Sequence, residues 1–307
     1  MKKPTFIIAE TLLSMVLIAS LAAVAVLAID INTDGSIIPP EIYGGKSRIQ
    51  KDTASLTEDS APPKPSDPVK EETSKAPETP KASPESDLNK TLILQEPAGL
   101  NSQPEDLTRY ISQYGFDYEG LSFNRCIVVD SDDKSKANVY CYQKGDNGYW
   151  WNIAGKNKFI TDKAFVGEKG PDYNITPGSK KSPLGFYMLG QGFYIGQKPV
   201  STYPMFEITD STYWVDDPKS AFYNTKVDGT DKKDWNSANH MITQTEAYKY
   251  GLVVNYNTNN ISSELASSIF MYCGNAPTEG GIALPENVML AILNWLDEDS
   301  LAYIYIV

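Results

Sequence analysis

Between residues 50 and 90 the chain cannot build a core. These 41 positions hold seven Pro, nine Asp/Glu and six Lys, and their only large apolar side chains are Leu56, Val69 and Leu88. So little apolar surface does not offset the entropy of ordering a chain. The stretch is expected to be disordered and extended, with polyproline bias around 61–68 and 77–84. As a flexible chain it would span about 35 Å r.m.s., and more where Pro and charge stiffen it. Any compact fold must come from the residues C-terminal to this spacer.

The other side of the spacer is apolar. Lys2 and Lys3 precede an apolar-to-small run over 12–29, long enough at the low end for a spanning helix. Positive charge before it and none just after it favour an N-terminus inside and a C-terminus outside. Residues 1–30 are therefore expected to be a signal anchor in the cell membrane, in contact with the lipid bilayer. The alternative is a signal peptide cleaved near Val26-Leu27-Ala28, which would leave the protein secreted. Residues 31–90 are expected to be a Pro/Glu/Lys-rich disordered linker, 91–122 a short helical lead-in, and 123–307 a domain on the extracytoplasmic side.

Charge and scarce residue types exclude several chemistries. The net charge is −12, and the folded part from residue 91 carries 17 basic against 26 acidic side chains. That balance argues against nucleic acid as a partner, since such binding runs on basic patches. One His (His240) and three Cys (126, 141 and 273) cannot supply a multi-His zinc site or paired CxxC ligands. No metal and no cofactor is expected.

The fold class reads as mostly β with two or three helices. A helix is expected from Ser102, which forms a capping-box pair with Glu105; Leu107, Tyr110, Ile111 and Tyr114 would make its apolar face. Alternation and turn residues predict strands over 126–130, 137–143, 148–153, 185–193, 250–256, 267–272 and 302–307. Helices are expected over 236–250, with Ala238, Ile242 and Thr245 in register, and over 285–296, with an apolar stripe of Val288, Met289, Ile292, Leu293 and Leu296. If the turn after the first strand centres near Asp133-Lys134, Cys126 and Cys141 fall opposite each other. They would then form a disulfide, or else serve as two small buried apolar residues.

One stretch carries more. Ser268-Ile-Phe-Met-Tyr-Cys-Gly-Asn-Ala-Pro-Thr-Glu-Gly-Gly-Ile-Ala-Leu-Pro-Glu286, with 289–297 after it, resembles the active-site segment of the YkuD-type L,D-transpeptidases, in the branch without a Ser-His-Gly-Cys signature. Other blocks agree in order: Gly167–Gly170 with Thr176-Pro177-Gly178 and 181–190, then 213–224, 234–241 and 247–257. The resemblance covers about 123–307. It implies a β-rich domain of peptidoglycan metabolism that takes stem peptides as partners and transfers acyl groups through a cysteine thioester. A nearby His would assist the proton transfer, and backbone N–H groups would hold the oxyanion.

The chain departs from that pattern where the chemistry lies. The family Cys falls on Gly281 and the family His on Tyr272. Glycine cannot form a thioester, and tyrosine, with an ordinary pKa near 10, is a poor base at neutral pH. The reading is a membrane-anchored pseudoenzyme that keeps the peptide groove as a cell-wall binding site. One alternative is an active acyltransferase that uses Cys273, although alternation places Cys273 on the opposite strand face from Tyr272. A second is a cell-surface scaffold or adhesion module. Groove and loop candidates are Gly280, Thr278, Asn275, His240 and Trp235.

Overall fold

The computed structural model describes residues 91–113, 123–132, 134–173 and 175–307, together with Leu88. The expected membrane segment and nearly all of the linker lie outside the described residues. Among the described residues no helix is long and apolar enough to cross a membrane.

The domain is mostly β. Helix α1 (Glu105–Gln113) leads into β1 (Arg125–Ser131), β2 (Lys136–Lys144), β3 (Trp150–Asn152) and β4 (Thr161–Phe165). The short pair β5 (Pro171–Asp172) and β6 (Ser182–Pro183) precedes the long β7 (Gly185–Tyr194) and β8 (Met205–Glu207). Three small strands follow: β9 (Thr212–Val215), β10 (Lys226–Asp228) and β11 (Ala238–His240). The chain ends in β12 (Tyr250–Val254), β13 (Phe270–Cys273), β14 (Ile282–Leu284), helix α2 (Glu286–Trp295) and β15 (Ala302–Ile306).

Eight strands join in the order β1-β15-β7-β12-β13-β14-β4-β2. Strand β2 then pairs back onto β1, from Arg125 opposite Gln143 to Ser131 opposite Ala137. The sheet closes into a barrel, so every strand in the ring has a partner on both sides. Strand β3 extends β2, and β8 hangs on β7. A separate sheet, β10-β9-β11, lies outside the ring.

Alternation along the strands sorts side chains into three cores. Ile127 and Val129 join Val139, Leu189, Leu252, Met271, Ile282 and Ile304 in the largest. Helix α2 packs into this core, and its residues 288–293 are all buried. The expected stripe is therefore too narrow a description: Leu290 and Ala291 are buried as well, and only Glu286, Asn287 and Asn294 are left to the solvent side. On the other strand face, Cys126, Val128, Tyr142, Phe186 and Tyr305 pack with Leu107 and Tyr110 of α1. The third core joins Phe193, Val253 and Phe270 to Trp214, Met241 and Tyr248, and so fastens the small sheet to the barrel.

Three expectations need correction. Helix α1 starts at Glu105, not Ser102: the amide of Thr108 donates to the carbonyl of Pro104 at 3.0 Å, which makes Pro104 the start of the first turn. Residues 236–250 form no helix. They make β11, one 3-10 turn at Met241–Thr243 and further turns before β12. The supposed apolar face fails because only Met241 and Tyr248 bury fully before β12, while Thr245 is exposed. Last, the register places Cys126 opposite Tyr142 and Cys141 opposite Ile127. A one-residue offset sends the two thiols to opposite faces. They lie in different cores, and all three cysteines are free and buried.

A groove at the β13 and β14 strand ends

Strands β13 and β14 run parallel, with Met271 beside Ile282, Tyr272 beside Ala283 and Cys273 beside Leu284. Residues two apart on a strand share a face. Tyr272 and Gly281 therefore stand on one face, and Cys273, Met271 and Ile282 on the other. The first face opens on a groove of about 720 Å³. Its floor and walls include Tyr272, Gly280 and Gly281 from this pair, Thr176 and Lys180 from the loop before β6, and Asp216, Asn239, Tyr248 and Ser268 from the surrounding loops and β11.

Position 281 admits no side chain without movement. A β-carbon there would stand 2.6 Å from the Phe270 carbonyl oxygen and 2.8 Å from Cε1 of Tyr272. Gly280 has a φ of +144°, a conformation that disfavours any L side chain, and its amide donates to Oγ1 of Thr278 at 3.1 Å. Thr278, 4% exposed, donates in turn to the Gly281 carbonyl at 2.6 Å. From the other side the fully buried Ser182 hydroxyl accepts from the Gly167 amide at 2.9 Å and donates to the Gly280 carbonyl at 2.8 Å. The loop is thus held by two hydroxyls beneath it, and Thr278 acts from below rather than as part of the groove wall.

The titratable groups are set against base catalysis. Burial pushes the Tyr272 hydroxyl up to about 12, and the nearby Tyr248 and Glu279 add to it. The Tyr248 ring meets Tyr272 edge-on at 5.7 Å, and its hydroxyl accepts from Nδ2 of Asn239 at 2.6 Å. Both phenols stay protonated at neutral pH. Cys273 turns into the main core, where its thiol donates to the Tyr250 carbonyl at 3.4 Å and burial pushes it up to about 12. A thiol so held is almost wholly un-ionised and faces no ligand space.

Besides Thr278, three expected groove residues lie elsewhere. Asn275 is exposed and borders a separate hollow beside Lys136, Asp162 and Pro285. His240 belongs to β11, not to a helix; its ring stacks on Tyr213 at 4.4 Å, and Nε2 bonds the Asp210 carbonyl at 2.7 Å. Its neighbour Asn239 points to the groove instead. Trp235 is buried between Phe222 and Tyr213.

Asn224 organises the far wall and was not singled out in the sequence. It is 3% exposed with a φ of +55°, a left-handed conformation that Asn tolerates better than most residues. Its Oδ1 accepts from Nε1 of Trp214 at 3.0 Å and from the Ser268 amide at 2.9 Å. Its Nδ2 donates to the carbonyls of Tyr256 and Asn257 at 3.0 and 2.7 Å. One amide thereby links β9, the end of β12 and the segment that enters β13. Just beyond, Asp217 accepts from the amides of Lys219 and Asn236 at 2.9 and 2.8 Å, which brings Ser237 to the groove rim. No sequence signal short of recognising such a bridging Asn would have revealed this wall.

Fold and groove together define a closed β-barrel domain with a polar surface groove over a strand pair. Compared with known proteins, the chain matches no family model, no curated protein and no solved structure. Among the described residues no group of three or more His, Cys, Asp or Glu side chains could hold a metal ion.

Proposed function

We propose that the domain is a catalytically silent relative of the YkuD-type L,D-transpeptidases, held at the cell membrane by its N-terminal segment, which binds peptidoglycan stem peptides in the groove. The observation that carries this reading is the pairing of Tyr272 and Gly281 on one groove face. The resemblance puts a base and a nucleophile at these two positions, and their adjacency is the geometry such a pair requires. Here one position has no side chain and the other holds a protonated phenol. What persists is a groove with hydrogen-bonding walls, which suits an extended peptide more than an apolar ligand.

Catalysis through Cys273 has little support. The thiol lies across the strand from the groove, is hydrogen-bonded to a backbone carbonyl, and stays un-ionised. A scaffold without peptide binding would leave the groove without a role. The test is retention on purified cell walls. The native protein is expected to be retained. Ser237→Trp, which places a large ring at an exposed rim position, is expected to lose most of that retention. Equal retention of the two proteins would remove the groove from the account, and no retention of either would favour a scaffold.

A further inference from the structure

Two polar atoms in the groove wall have no partner. Oδ1 of Asp216 and Oγ of Ser268 are both cut off from solvent and make no hydrogen bond. Both residues line the groove. Buried polar atoms in folded proteins are nearly always satisfied, so an orphan of this kind calls for a reason. Both belong to residues that line one groove, and a side-chain rotation toward it would let a donor arriving from outside satisfy them.

The backbone at both residues is built rather than incidental. Asp216 follows β9 directly; the Val215 carbonyl before it accepts the Asn224 amide at 2.8 Å. Ser268 has a φ of +59°, costly for a β-substituted residue, and its amide is pinned to Oδ1 of Asn224 at 2.9 Å. The same Asn224 thus holds the chain at both positions. Backbone strain held in place by a fully bonded neighbour clusters at sites that clamp a ligand.

Charge selects the ligand. The groove carries three charged side chains: Lys180, Glu279 and Asp216. Lys180 is already engaged, with Glu168 at 2.8 Å and Glu279 at 3.6 Å. Asp216 has no cation in salt-bridge range among the described residues, so the groove wall carries a carboxylate without a counter-ion and, at Ser268, a hydroxyl oxygen without a partner.

We infer that Asp216 and Ser268 form a subsite for a primary ammonium group of the bound peptide. The ammonium donates to Oδ1 of Asp216 and to Oγ of Ser268, and its charge replaces the missing counter-ion. This assignment rests on the peptide-groove reading and adds to it the end of the ligand that is recognised.

The experiment compares two probes by calorimetry on the intact protein: a stem tetrapeptide with a free side-chain amine, and the same peptide acetylated on that amine. The free amine is expected to bind at least about tenfold more tightly, the size of one charge-assisted hydrogen bond. Asp216→Asn, which keeps the shape of the side chain, is expected to erase that difference while the acetylated peptide binds it as before. Ser268→Gly, which suits the positive φ, is expected to reduce the difference without abolishing it. Equal binding of the two peptides to the native protein overturns the ammonium subsite and leaves the groove reading standing. A preference that persists in Asp216→Asn also overturns it. Failure of both peptides to bind overturns the groove reading and the subsite with it.

Discussion

The ring of Tyr272 covers the α-carbon of Gly281, so that a β-carbon at 281 would meet Cε1 at 2.8 Å and the Phe270 carbonyl oxygen at 2.6 Å. The two positions are coupled: the large residue at one is compatible only with the absence of a side chain at the other. Gly281→Ala is therefore expected to lower stability by about 1–3 kcal/mol, the usual cost of overpacking a close-fitted site. Paired with Tyr272→Ala, the loss is expected to be smaller than the sum of the single losses, because the ring contact is gone while the Phe270 contact remains. Urea unfolding of the four proteins measures this coupling, and strict additivity would contradict it.

Cys273 is expected to be inert in the folded protein. With its thiol in the core and pushed up to about 12, iodoacetamide should label it only when the domain opens. Peptide mapping after labelling in buffer and in denaturant reads this directly. Rapid modification in buffer would mean that the thiol reaches solvent.

Asn224→Ala is expected to cost about 3 kcal/mol. The change strands the Trp214 indole N–H and the carbonyl of Asn257, and it places Ala in a left-handed conformation. A thermal-melting loss within the range of an ordinary surface substitution would show that the bridge carries no weight.

Acid should loosen the groove rim. Asp217 accepts the Asn236 amide first and the Lys219 amide second, and these donors hold its carboxyl below the ordinary 3.8. A depressed folded value favours the charged form, so this clamp is fully present above the ordinary value and is lost as pH falls through the folded one. Hydrogen exchange at the Asn236 amide, corrected for its intrinsic rate, is expected to speed up below that point. In Asp217→Asn the acid-dependent step should vanish. A wild-type profile without the step would contradict the clamp.

Much of the barrel was legible because its longer strands are apolar or alternating runs bounded by turn residues. The 126–130 and 137–143 segments became β1 and β2, and the apolar run after Pro285 became α2. Short strands such as β4, β9 and β14 carry three to five residues and too little pattern to find. The segment over 236–250 misled because Ala238, Ile242 and Thr245 have helical spacing. Its β11 portion instead pairs with β9, from Ala238 opposite Val215 to His240 opposite Tyr213, a tertiary choice that local spacing does not encode. At the site, alternation did place Tyr272 and Cys273 on opposite faces. Gly280 and Gly281 also reached the groove, while Thr278, Asn275, His240 and Trp235 did not. Asp216, Asn224 and Ser268 went unnoticed, since their importance lies in which polar atoms are bonded and which are left bare.

The most direct test of a groove that binds without chemistry is to incubate the protein with a stem tetrapeptide and read binding and intact mass on the same sample. The account predicts saturable binding with an unchanged mass, and the same unchanged mass after exposure to a carbapenem. A covalent adduct on Cys273, or no binding at any concentration, would contradict it.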